Sequence, residues 1–172
     1  LLGGEPVRQH EVDIFNRHFP HGFLANVYGA TESSVSTIRI FQPGETVEYF
    51  TIGKPLDETE MLVLNEDDAE VDTYETGEIV VLCKHLSPGY WNNPDATEAV
   101  FIDDEELGAT YFTGDLGRLL PDGEIEFMGR RDSQVKLRGF RIELGEIETR
   151  LLKHPGIGEA VVMALDTDTG DK

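Results

Sequence analysis

Apolar positions change their spacing along the chain, and each change marks an element. Over residues 6–19, Val7, Val12, Ile14, Phe15 and Phe19 recur among polar neighbours at helical spacing, and Pro20 ends the run. Leu1-Leu2 before it and residues 23–28 after it are short and strand-like, and strand, helix, strand in succession points to the tail of an α/β layer. From residue 46 the texture turns to strands and turns, over residues 46–52, 60–65, 77–83 and 118–128. The last is a hairpin: Pro121-Asp122-Gly123 presets the turn, Glu124-Ile125-Glu126-Phe127-Met128 alternates, and Phe127 and Arg130 stand at its far end. One short helix interrupts this texture, capped by Asn93, with Pro94 at its first position, and running to residue 101. Beyond Gly129, residues 134–138 and 141–143 are strands flanking Gly139, which suggests a small separate sheet. Residues 145–153 are helical, acidic in the first turn and basic at Arg150 and Lys153, before residues 157–165 return to strand. The fold class is α+β: the end of an α/β layer, then a β-rich, barrel-like subdomain, then a small α+β subdomain.

Composition narrows the function classes. The 172 residues can bury one modest core, or one and a piece of a second. Acidic residues outnumber basic ones 34 to 14, and the net charge of −20 repels nucleic acid and anionic membrane, so neither is an expected partner. The excess reads as a solvated acidic surface, with a basic partner or a salt-adapted host as the alternatives. Cys83 is the one cysteine, so no internal disulfide forms, and its place in the apolar run 79–83 makes it a buried strand thiol rather than a nucleophile. No apolar segment is long enough to span a membrane and residues 1–4 lack the form of a secretion signal, which makes a reducing cytoplasm the expected setting. Both ends read as cut: Leu1-Leu2 opens inside a strand, and Thr169-Gly170-Asp171-Lys172 is a turn with nothing after it.

Two stretches carry chemistry. Tyr111 and Phe112 lead into Thr113-Gly114-Asp115, where the glycine lets backbone approach a ligand and an exposed carboxylate beside it can accept two hydrogen bonds from a vicinal diol. Asn26-Val27-Tyr28-Gly29-Ala30-Thr31-Glu32 ends a strand in an aromatic face and a turn, at the sheet edge where open α/β sheets bind ligands. Thr31 and Glu32 then supply a hydroxyl and a hard oxygen ligand. Such a set suits adenine stacking, phosphate contact and Mg²⁺. The same order of residues is also that of an ordinary strand running into a helix start.

TGDLGRLLPDG, GRRDSQVKLRGFRIELGEIE and NVYGATE resemble, in the expected order, the signature motifs of the adenylate-forming superfamily, most closely the amino-acid adenylation domains of nonribosomal peptide synthetases. The resemblance covers essentially the whole chain and only the later part of that domain. It implies that residues 1–131 are the C-terminal part of the core domain, with an α/β remnant over 1–45 and a β-rich part over 46–131. Residues 132–172 are then the hinge and the beginning of the small C-terminal subdomain. By the same resemblance Asn26 and Tyr28 hold the adenine beside Gly29, and Gly3, Gly4 and Glu5 lie along it. Thr31 contacts the α-phosphate, Glu32 binds Mg²⁺, and Ala30 stands where the family usually has Pro. Asp115 grips both ribose hydroxyls, Arg130 contacts the ribose, and Phe127 lies beside it where the family usually has Tyr. Asp132 matches the hinge and Gly139 the pantetheine path, the alternative being a charged turn in solvent. Leu1, Gly3, Val27, Val35 and Ser36 match acyl-pocket positions, and being small or apolar they lean toward an uncharged substrate side chain.

The reaction the resemblance implies is attack of an amino-acid (or related) carboxylate on the α-phosphate of MgATP, followed by transfer of the acyl group to a carrier-protein phosphopantetheine thiol. Thr31, Glu32 with Mg²⁺, and Arg130 share the neutralisation of charge between anionic reactants. Expected partners are a peptidyl carrier protein, the rest of the adenylation domain and the other synthetase modules. The family's phosphate loop precedes the position of Leu1 and its catalytic lysine follows that of Lys172, so these 172 residues alone are expected to be inactive. A CoA ligase of the same superfamily and a non-catalytic carrier-binding module are the rival readings. The unbroken RGFRIELGEIE argues against the first, and intact Glu32, Asp115 and Arg130 against the second.

Overall fold

The computed structural model describes residues 1–5, 7–46, 49, 51–104, 108–131, 134–137 and 140–165. The chain divides into two units, Leu1–Arg131 and Asp132–Lys172.

In the first unit β1 (Leu2–Gly3) runs parallel to β2 (Leu24–Ala30), and α1 (Gln9–His18) makes the crossover that a parallel pair requires. The helical spacing read from the sequence buries Val12 completely, in a cluster with Val7, Leu24 and Phe41, against which Leu2 and Phe15 pack. Apolar area removed from water, at roughly 25 cal/mol per Å², holds the helix there. β2 then turns back into β3 (Ser34–Phe41), antiparallel from Leu24↔Phe41 to Ala30↔Ser34, and β4 (Lys54–Pro55) adds to its edge. β3 has no counterpart in the hydrophobic pattern. Its first half, Ser34-Val35-Ser36-Thr37, is mostly polar, so the ladder with β2 defines it.

The second sheet holds β5 (Thr59–Leu64), β6 (Thr76–Cys83), β7 (Phe101–Asp104) and β8 (Gly108–Leu119) in the order β5-β6-β8-β7, and β9 (Ile125–Arg130) also pairs with β8. β6 is apolar without alternation because both of its faces are covered. Ile79 packs with Tyr28, Ile52, Val63, Val71 and Ile125, while Val80 and Leu82 pack with Leu64. Between β6 and β7, α2 (Pro94–Glu98) is capped by Asn93, whose Oδ1 accepts from Ala96 N at 3.3 Å. β8 brings two corrections. The strand expected to open near Arg118 begins ten residues earlier, at Gly108, so Thr113-Gly114-Asp115 lies inside it. Asp115, expected to be exposed, is only 4 % exposed. Of the strand expected over residues 46–52, Val47, Glu48 and Phe50 lie outside the described residues, and Thr51 forms an isolated bridge to Glu126. Cys83 is half-buried rather than buried, at the end of β6, where its Sγ accepts from Thr59 Oγ1 and His85 N.

In the second unit β10 (Gln134–Leu137) pairs antiparallel with β11 (Phe140–Glu143), the small sheet expected there, and α3 (Leu144–Leu152) follows. Residues 157–165 were expected to form a strand, and the described residues show none. Val162 N donates to Glu148 Oε1 of α3 at 2.8 Å, while Val161, Met163 and Leu165 are exposed. A strand needs a neighbour to exchange hydrogen bonds with. Among the described residues, no helix is long and apolar enough to cross a membrane.

Candidate functional site

Asp115 is the centre of the arrangement. Along β8 the side chains of Thr113 and Asp115 fall on one face, as residues two apart on a strand do, and both are buried. Tyr28, from β2 of the other sheet, donates its hydroxyl to Asp115 Oδ2 at 2.7 Å. Arg130, at the end of β9 and in register with Asp115, donates from Nη1 to Asp115 Oδ1 at 2.6 Å and to the Thr113 carbonyl at 3.1 Å. The two charged side chains are 10 and 6 % exposed, and removing either partner of so buried a pair costs about 3–5 kcal/mol. Thr113 braces the carboxylate from below: its Oγ1 donates to Ile79 O at 2.6 Å and accepts from Asp115 N at 3.0 Å. Burial, and then the negative charge of Asp115, push the Tyr28 hydroxyl well above the ordinary tyrosine range, so it stays a neutral donor. The Phe127 ring lies 6.4 Å from that of Tyr28, tilted by 48°.

The β2–β3 connection forms the second part. Thr31-Glu32-Ser33 is a tight turn rather than a helix start, closed by Ser33 N on Ala30 O and by Ser34 at φ 58°. Gly29 is required by this hairpin itself: a Cβ there would lie 1.9 Å from Ser34 O. Thr31 is exposed at the tip, whereas Glu32 is 8 % exposed. Tyr90 donates its hydroxyl to Glu32 Oε1 at 2.7 Å, and Ser87 N donates to Glu32 O at 2.7 Å.

The remaining expected site residues fall into three groups. Gly3 and Val27 are paired across β1 and β2, and a Cβ on Gly3 would lie 2.7 Å from Val27 Cγ2. Asn26, on the Tyr28 side of β2, is 6 % exposed, and its Oδ1 has no hydrogen-bond partner among the described residues. Gly4 takes φ 84° in the exposed turn with Glu5 that follows β1. Leu1 and Val35 are exposed, while Ser36 is fully buried and donates to Ser33 Oγ. Asp132 and Gly139 lie outside the described residues. Sequence reasoning missed Thr113 as a brace, Tyr90 and Glu78. Glu78 takes Gly114 N at 2.8 Å and Arg131 Nη1 at 2.9 Å and so fixes the glycine that kinks β8. The aromatic pair Tyr90-Trp91 just ahead of a capped helix was the visible signal for Tyr90.

Residues 1–91 match the family described as AMP-binding enzyme. Tyrocidine synthase 2 of Brevibacillus parabrevis is 42 % identical over 148 residues, covering 84 % of this chain and 4 % of that protein. Tyrocidine synthase 1 of the same organism is 46 % identical over 143 residues, covering 81 % of this chain and 13 % of that protein. This chain therefore spans a small part of the length of these relatives. Among solved structures, holo-PA1221, an NRPS protein containing adenylation and PCP domains bound to a vinylsulfonamide inhibitor, superposes with a TM-score of 0.84 at 32 % identity, covering 91 % of this chain and 28 % of that one.

Proposed function

The chain belongs to the AMP-binding enzyme family, and from that premise we propose that it is the later part of an adenylation domain whose parent polypeptide activates an amino acid as acyl-AMP and loads it on a carrier protein. The observation that carries this reading is the buried Tyr28–Asp115–Arg130 constellation. An ionised carboxylate has about four acceptor sites, and Tyr28 and Arg130 use one on each oxygen. One site per oxygen is left for the two hydroxyls of a ribose. Because both oxygens are already fixed, the clamp needs no rearrangement to receive a diol, which is how preorganised sites gain affinity.

Around this clamp the other roles follow from chemistry. The buried amide oxygen of Asn26 can accept from the exocyclic amine of adenine, relieving an unsatisfied acceptor that costs about 1–3 kcal/mol. Tyr28 and Phe127 supply aromatic faces, Phe127 without a hydroxyl. Gly3, Gly4 and Glu5 border the base, Thr31 offers its hydroxyl to the α-phosphate, and Arg130 adds positive charge beside the ribose. Glu32 with Thr31 is a hard-oxygen set that fits Mg²⁺. Among the described residues no group of three or more His, Cys, Asp or Glu gathers to hold a metal, so Glu32 would be one protein ligand to an ion otherwise held by phosphate oxygens and water. Such an ion supplies neutralisation of phosphate charge. Gly3, Val27, Val35 and Ser36, with Leu1, border the acyl pocket. The boundary between the two units supports Asp132 as a hinge, with Gly139 on the pantetheine path. The single cysteine fits a reducing, cytoplasmic setting.

Exchange of labelled pyrophosphate into ATP, dependent on an amino acid, tests this in the full polypeptide that carries the chain. Asp115→Ala is expected to lower exchange at least about 100-fold, and the 172 residues alone are expected to give none. Amino-acid-dependent exchange that is indifferent to Asp115→Ala would overturn the reading.

A further inference from the structure

We infer that Glu78 is a positioning residue for ribose recognition: its carboxylate stands in for the ladder where β6 passes the Thr113-Gly114-Asp115 kink of β8, and so sets the direction in which Asp115 meets a diol. The inference rests on the reading of Asp115 as the ribose clamp. β6 and β8 pair at Glu78↔Leu116 and again at Val80↔Phe112, so between these pairs a single residue of β6, Ile79, faces three of β8. A bulge of this kind re-aims a side chain and leaves backbone groups without a ladder partner. In a buried place such groups must be satisfied from elsewhere.

Two side chains do so here. Thr113 Oγ1 donates to Ile79 O at 2.6 Å and accepts from Asp115 N at 3.0 Å. Glu78 Oε1 accepts from Gly114 N at 2.8 Å, with Gly114 at φ 71°, a conformation that glycine takes without steric cost. The other oxygen of the same carboxylate, Oε2, accepts from Arg131 Nη1 at 2.9 Å, and Arg131 N donates to Gly114 O at 2.8 Å. Gly114 precedes Asp115, and Arg131 follows Arg130, which is paired with Asp115 across β8 and β9. One carboxylate therefore grips the chain neighbour of each member of the clamp's ion pair. The Glu78 side chain is 13 % exposed and that of Arg131 is 68 % exposed, and so exposed a pair contributes little by itself. The bond to Gly114 N is the one that carries the positioning.

The test is calorimetric titration of the full polypeptide with AMP and with 2′,3′-dideoxy-AMP. The ratio of the two affinities reads the diol, and a general loss of stability does not move it. Glu78→Ala removes the acceptor, and Glu78→Asp keeps the charge but withdraws it by one methylene. Each is expected to bring a wild-type preference for AMP of at least about 10-fold down to about 3-fold or less, with little change in the affinity for dideoxy-AMP. Glu78→Gln keeps an oxygen for Gly114 N and is expected to keep the wild-type preference. Where Glu78→Ala does not fold, Glu78→Asp decides. A wild-type ratio in Glu78→Asp, whatever its melting temperature, would overturn this inference and leave Asp115 as the ribose clamp. A loss of preference in Glu78→Gln as large as that in Glu78→Asp would do the same. No preference for AMP in the wild type would overturn the reading of Asp115 and this inference with it.

Discussion

At the scale of single residues, Tyr28 ties two sheets together through one hydrogen bond, and its raised pKa makes that bond measurable. The unfolded tyrosine loses its proton near pH 10, the folded one well above that. Between those values the folded state holds a proton that the unfolded state has released. The stabilisation is thus fully present below about pH 10 and is lost as pH rises further. Thermal melts from pH 8 to 11 are expected to fall more steeply for the wild type than for Tyr28→Phe, which should also be less stable at pH 8 by about 1–3 kcal/mol because Asp115 Oδ2 loses a donor. Equal alkaline slopes would contradict the buried hydroxyl. Asp115 and Arg130 were legible in the sequence as motif residues. The burial of Asp115 was not, because the strand was expected to open only near Arg118, which left Asp115 in a loop beside Gly114. Tyr90 was visible only as half of an aromatic pair ahead of a capped helix, since its contact to a residue 58 positions away leaves no spacing to read.

At the scale of elements, the β2–β3 turn decides where Thr31 and Glu32 stand. Gly29→Ala puts a methyl carbon against Ser34 O, and the hairpin must open to admit it. Urea denaturation is expected to show a loss of at least about 1–3 kcal/mol, and a change within experimental error would mean that the turn is looser than described. The helices were legible because each carries its own signals: apolar spacing in α1, an asparagine cap before proline in α2, charges placed by end in α3. β3 and β7 were not. Their residues are half polar, and they exist because β2 and β8 offer hydrogen bonds, which is information held by the partner strand. The strand expected over residues 157–165 failed for the converse reason: the apolar run is present and a partner strand is not among the described residues.

At the scale of the whole molecule, a net charge of −20 repels itself, and surface ion pairs such as Lys84–Glu58 and Arg131–Glu78 have a largely exposed cation. Raising salt from 0.05 to 0.5 M is expected to raise the melting temperature, as the screening length falls from above 10 Å to a few ångströms. A melting temperature that falls with salt would give the surface pairs more weight than their exposure allows. The charge and the β-rich texture were legible from composition and period. The joining of two sheets at one carboxylate was not, because it depends on packing between strands 87 residues apart. That joint is the central claim, and calorimetric titration of the full polypeptide with AMP and with 2′,3′-dideoxy-AMP tests it most directly. The account predicts at least a 10-fold preference for AMP that disappears in Asp115→Asn. Equal affinity for the two nucleotides in the wild type would show that Asp115 does not hold the ribose.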